Sequence, residues 1–167
     1  AQERLKFDEL FLLQLHNALA KNKVRSVKAP GIDFQEEAIK SFVNDLPFKL
    51  TDAQRKSAWE ILQDLENSQP MNRLLEGDVG SGKTVVAAMG LYNVIKAGYQ
   101  AVYMAPTEIL AGQHFSSLSK LLGNRGVAVA LMTGSQRQIF TGGSDRPENI
   151  SRPALLKLLD SGEVSLV

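Results

Sequence analysis

The stretch Leu74-Leu75-Glu76-Gly77-Asp78-Val79-Gly80-Ser81-Gly82-Lys83-Thr84-Val85-Val86-Ala87-Ala88 decides the fold. Gly77, four further residues and then Gly82-Lys83-Thr84 match the phosphate-loop pattern G-x-x-x-x-G-K-[ST]. Glycines let the backbone turn around a phosphate with no Cβ in the way. The loop amides and the start of the following helix then point at the anion. In this reading Lys83 lies along the β- and γ-phosphates of a nucleoside triphosphate and the Thr84 hydroxyl binds Mg²⁺. Gly77, Asp78, Val79, Gly80, Ser81, Gly82, Lys83 and Thr84 are the candidate nucleotide-binding residues. A short apolar strand at 73–76 is expected to lead in, and a helix at 83–97 to lead out, stopped by Gly98.

Outward from the loop, short apolar runs alternate with helical periodicity. Helices are expected at 51–67, 107–122 and 152–160, with Ser151 capping the last. Strands are expected at 100–105, 127–132 and 164–167. The alternation implies βαβ units and a parallel sheet, an α/β fold. Residues 142–149 are dense in turn formers and read as an exposed loop. Before residue 46 the pattern is helical, over 4–20 and again over 34–44, where Phe34, Ala38, Ile39, Phe42 and Val43 face inward and Pro47 ends the helix. Between them Lys21-Asn22-Lys23-Val24-Arg25-Ser26-Val27-Lys28 has four basic residues and no acidic one. It reads as a solvated linker or as a patch facing a polyanion.

Bulk composition narrows the classes. The chain has 167 residues, 44% of them hydrophobic, enough for one domain-sized core. Net charge is +1, so any case for nucleic-acid binding must come from local motifs. With no cysteine, disulfides and thiolate-held metals are excluded. His16 and His114 are far apart and do not form a metal pair. No apolar run approaches the length of a membrane span, and a cytoplasmic protein is expected. The start at Ala1, without Met, suggests a fragment or a processed product.

The flanks of the loop carry a resemblance. Phe48-Lys49-Leu50-Thr51-Asp52-Ala53-Gln54 precedes it by one helix, Ala105-Pro106-Thr107-Glu108-Ile109-Leu110-Ala111 follows it by one strand, and Thr133-Gly134-Ser135 follows the next. Together with 71–84 these closely resemble the RecG family, bacterial ATP-dependent helicases that remodel stalled replication forks and Holliday junctions. Arg4 to Leu10 looks like the helix after that family's DNA-binding wedge. The likeness covers nearly the whole chain and is least clear over 26–45 and 136–152, the latter looking like an insertion.

The resemblance implies a P-loop, RecA-like parallel sheet flanked by helices, with a helical N-terminal extension. Residues 1–45 would be a helical linker after the wedge, and residues 46–167 the front of the first motor lobe. ATP and Mg²⁺ would be the cofactors, and DNA the partner; a monomer is expected. Gln54 would correspond to the glutamine that reads adenine, although Thr51-x-x-Gln54 is equally a helix capping box. Pro106, Thr107 and Glu108 would touch the DNA backbone, with N-capping as the alternative for Thr107. Thr133, Gly134 and Ser135 would form a second backbone contact or an ordinary strand-exit turn. Trp59 and Phe115 read as packing residues.

The family's acidic Asp-Glu-x-His motif does not occur, and Asp160 and Glu163 lie in the wrong context to replace it. The arginines of a second motor lobe are also missing. The 167 residues alone are therefore expected to hold ATP without hydrolysing it. A transcription–repair coupling translocase has a similar lobe, although its loop more often reads Gly-Phe-Gly-Lys. The rival from another class is a non-catalytic nucleotide- or DNA-binding module.

Overall fold

The computed structural model describes residues 2–25, 27–144 and 146–167. Among the described residues six α-helices follow in order, α1 (Gln2–Arg25), α2 (Glu36–Asn44), α3 (Asp52–Leu65), α4 (Lys83–Lys96), α5 (Glu108–Leu122) and α6 (Arg152–Asp160), with a 3-10 turn at Gly123–Arg125 after α5. Three strands, β1 (Val129–Met132), β2 (Arg137–Phe140) and β3 (Glu148–Asn149), form an antiparallel meander. The expected parallel pairing is present beside it. Residues 165–167 lie between 101–103 and 128–130, and bridge both in parallel through Leu166. Ala101 N–H donates to the Ser165 carbonyl at 2.9 Å, and Ala130 N–H to the Leu166 carbonyl at 2.7 Å. The sheet is thus mixed: parallel at its centre, antiparallel at the hairpin.

Strand alternation builds two cores. Val127, Val129 and Leu131 face α2–α5 and pack with Phe42, Leu62, Val86, Met89, Phe115 and Leu122. Ala130 points the other way, onto Leu155 of α6 and Val164. The helices therefore cover both faces, as a sheet buried on both sides requires.

Caps explain where the helices start. Thr51, Thr107 and Ser151 each accept a hydrogen bond from the backbone three residues on, at Gln54, Leu110 and Ala154. Gly98 follows α4 at φ +87°. Part of the basic run is helical. Helix α1 continues through Arg25, while the side chains of 20–26 lie outside the described residues, as does Asp145 of the 142–149 segment. Glu148 and Asn149 of that segment pair with Ile139 and Gln138 instead of looping freely.

The strand expected at 73–76 does not form. A strand exists by backbone pairing, and among the described residues this segment's backbone pairs with nothing. Leu74 is 80% exposed. Arg73 is drawn sideways onto α3 instead, with its Nε 2.6 Å from Asp64 and its Nη1 2.7 Å from Glu60.

Residues 29–35 form a strap that sequence periodicity did not reveal. Ala29 N–H reaches the Ser68 carbonyl and Ile32 N–H the Leu65 carbonyl, at the end of α3. Asn93, fully buried in α4, accepts from Gln35 N–H at 2.8 Å and donates to the Asp33 carbonyl at 3.3 Å. Farther along, Arg125 donates to the Phe42 carbonyl and lies over the Phe42 ring, fastening α2 to the end of α5.

Two substitutions separate buried from exposed polar contacts. Asn93→Ala leaves the half-buried Gln35 N–H without an acceptor and should cost about 1–3 kcal/mol. Asp64→Asn breaks an exposed ion pair and should cost less than about 1 kcal/mol. Its bond to Arg73 holds the Asp64 carboxyl below the usual carboxylate range. That contribution is present above the ordinary Asp pKa and lost as pH falls through the lowered one. Urea midpoints near neutrality and in acid test both points, and the Asp64→Asn difference should close in acid.

Candidate phosphate loop and facing turn

The loop at 77–84 takes the conformation its glycines permit. Gly80 and Gly82 have φ of +81° and +82°, and Gly82 sits left-handed at the N-cap of α4. Ser81 N–H closes a turn on the Asp78 carbonyl at 3.1 Å. Among the described residues, the backbone N–H groups of Val79, Gly80, Gly82, Lys83 and Thr84 hydrogen-bond to nothing. Five such amides at the positive end of a 14-residue helix are available to an anion. The Lys83 ammonium lies inside the loop, donating to the carbonyls of Gly77 at 2.6 Å and Asp78 at 2.8 Å. Thr84 stands half-buried beside it in the first turn. This donor set fits a polyphosphate. Among the described residues no group of three or more His, Asp or Glu converges to hold a cation. A metal here would rest on Thr84 and on the phosphates themselves.

Gln54 is brought to the loop. Its Oε1 accepts from Thr51 N–H at 2.9 Å, completing a capping box. Its Nε2 donates to the Ser81 carbonyl at 2.8 Å. One amide thus joins the start of α3 to the phosphate loop, a link that neither of its two sequence readings contained.

The second candidate set also assembles, though not as independent contacts. Parallel strands end at the same side of a sheet, where α/β proteins place their ligands. There Pro106, Thr107 and Glu108, at the start of α5, meet Thr133, Gly134 and Ser135, the β1–β2 turn. A groove of about 380 Å³ runs past them, lined by Tyr103, His114, Leu131 and Val167 among others. Thr107 caps α5, its Oγ1 accepting from Leu110 N–H at 3.3 Å. Thr133 Oγ1 accepts from Gln136 N–H at 2.9 Å, which closes the turn. Glu108 does not stand free. Its Oε1 accepts from Ser135 N–H at 3.0 Å and its Oε2 from the Ser135 hydroxyl. Ser135 holds the Glu108 carboxyl below the usual range, with smaller contributions from Thr133 and Gly134. The spacing of 27 residues between Glu108 and Ser135 gave no local signal of this contact.

Trp59 and Phe115 pack, the former edge-on to Phe34 at 5.3 Å and the latter in the main core. His16 is exposed on α1, and His114 lies 4.8 Å from the Tyr103 ring.

The DEAD/DEAH box helicase family model matches residues 51–149. The ATP-dependent DNA helicase RecG of Aquifex aeolicus is 50% identical over 133 residues, covering 80% of this chain and 17% of that protein. RecG of Streptococcus pneumoniae is 48% identical over 137 residues, covering 81% of this chain and 20% of that protein. A solved structure of RecG bound to a three-way DNA junction matches with TM-score 0.82 and 34% identity, over 100% of this chain and 21% of that one. The chain therefore spans about a fifth of the length of the relatives it matches.

Two variants separate the two bonds of Gln54. Gln54→Ala loses both and should lower unfolding free energy by about 1 kcal/mol. Gln54→Glu keeps the acceptor for Thr51 and loses the donor to Ser81. It should retain most of that stability while amide exchange at 80–82 accelerates. Indistinguishable exchange in wild type and Gln54→Glu would mean that the Ser81 link does not hold the loop.

Proposed function

Because the chain belongs to the DEAD/DEAH box helicase family, we propose that it is the front of the first motor lobe of a RecG-type ATP-dependent DNA helicase. The whole protein would couple ATP hydrolysis to translocation on double-stranded DNA and remodel forks and Holliday junctions in the cytoplasm. The observation that carries this reading is the cradle of five unpaired amides around Lys83 at the head of α4. It is supported by the 50% identity to one RecG and the fold shared with another.

In this role the loop amides take the phosphates, and Lys83 leaves its carbonyl partners to lie against the β- and γ-oxygens. Thr84 offers its hydroxyl to Mg²⁺, which would neutralise charge on the transferring phosphoryl group. Gln54 has one amide for the Thr51 cap, Ser81 and adenine. With one lone pair on its Oε1 and one N–H on its Nε2 still unused, the amide can meet adenine while keeping both partners. Pro106, Thr107, Thr133, Gly134 and Ser135 form the DNA-facing side of the lobe. The division between linker and lobe would lie nearer residue 29 than residue 46. Residues 29–45 serve the lobe directly, because Ile39 and Phe42 lie in its core and the strap is pinned by Asn93. Helix α1 then serves as the connection to the wedge. No described helix is long and apolar enough to cross a membrane.

Holding a triphosphate is not catalysis, since equal binding of ground and transition states leaves the chemical step unaccelerated. In this reading the acidic motif and the second-lobe arginines would be supplied by parts of the protein other than residues 1–167. In the full-length protein, Lys83→Ala should cut DNA-stimulated ATP turnover about 10²-fold or more. Residues 1–167 alone should turn over far below about one ATP per second. Undiminished turnover in Lys83→Ala, measured by phosphate release, would reject the assignment.

A further inference from the structure

The surface proposed to face DNA contains a carboxylate, Glu108, and a polyanion should avoid one. Its geometry resolves the conflict. Both carboxylate oxygens are spent on Ser135, one on the backbone N–H at 3.0 Å and one on the hydroxyl. Glu108 is the first residue of α5, after the Thr107 cap, where the positive helix end favours an anion. A Cβ at Gly134 would come 2.9 Å from Glu108 Oε1, so the carboxylate end lies close against the turn. From the other side Arg137 reaches the Gly134 carbonyl at 3.4 Å. The turn is thus gripped at its donors by Glu108 and at its acceptor by Arg137.

We propose that Glu108 is a positioning residue: it latches the 133–135 turn to the 106–108 loop so that both meet the DNA backbone as one preformed surface. This rests on the reading that these loops face DNA. The latch orders the turn before DNA arrives, so binding does not have to fix it. It also gives Glu108 an effect opposite in sign to that of an acid without such partners. Neutralising an unpartnered acid beside phosphates tightens binding, whereas breaking a latch weakens it.

The test is junction-DNA affinity of the full-length protein at fixed ionic strength, by fluorescence anisotropy, with unfolding midpoints read alongside. Glu108→Ala should weaken binding about 3- to 10-fold. Glu108→Gln still offers an acceptor to Ser135 N–H, and should stay within about 2-fold of wild type. Pro106→Glu reports on the face itself and should weaken binding if DNA lies there. If Pro106→Glu weakens binding while Glu108→Ala or Glu108→Gln tightens it, the latch is overturned and the DNA face stands. If Pro106→Glu has no effect, the DNA-face reading falls and the latch with it. Should Glu108→Ala fail to fold, the sign of the Glu108→Gln effect and the Pro106→Glu result still decide.

Discussion

The arrangement depends on one act of backbone pairing: residues 165–167 slot in parallel between 101–103 and 128–130. Parallel neighbours place their chain ends at the same edge of the sheet. The loop after 105 and the turn after 132 therefore emerge side by side. Only because of this can a carboxylate on α5 reach a serine in a hairpin turn. The same pairing makes a sheet with two buried faces, which recruits α6 to one side and α4 with α5 to the other. With α4 fixed by its buried residues, the phosphate loop has a rigid platform on one flank. The strap at 29–35 secures that platform and the end of α3 through Asn93 and the Leu65 and Ser68 carbonyls.

Much of this was legible in the sequence, for identifiable reasons. The phosphate loop is read from spacing alone, because each position answers a local steric or electrostatic demand. Helix starts at Thr51, Thr107 and Ser151 were equally local, since a cap and its acceptor lie three residues apart. Helix α6 was expected over 152–160, the range it occupies. What escaped was nonlocal. The 73–76 segment has strand composition, yet composition cannot supply a pairing partner. Glu148 and Asn149 look like turn residues, and only the hairpin opposite them makes them a strand.

The candidate sites divide along the same line. Gln54 was readable as a cap because Thr51 is near in sequence. Its bond to Ser81 spans 27 residues and needed the fold. Glu108 was grouped with DNA contacts by its neighbours in the chain, while its own contacts lie on another element. Asn93 had a usable signal: it is a polar residue within the apolar run of α4, and a buried amide implies partners to satisfy it.

The central position of 165–167 bears on how the chain is made. At roughly 5–20 residues per second, a ribosome delivers 101–103 and 128–130 well before the strand that joins them. For on the order of seconds, two apolar segments are out with their hydrogen-bonding edges unmatched, while α3, α4 and α5 can already settle on one another through contacts close in sequence. Slow, nonlocal strand pairing comes last. The nascent chain is therefore most vulnerable to wrong edge pairing in that interval, the window in which a chaperone that covers bare strands has most to offer.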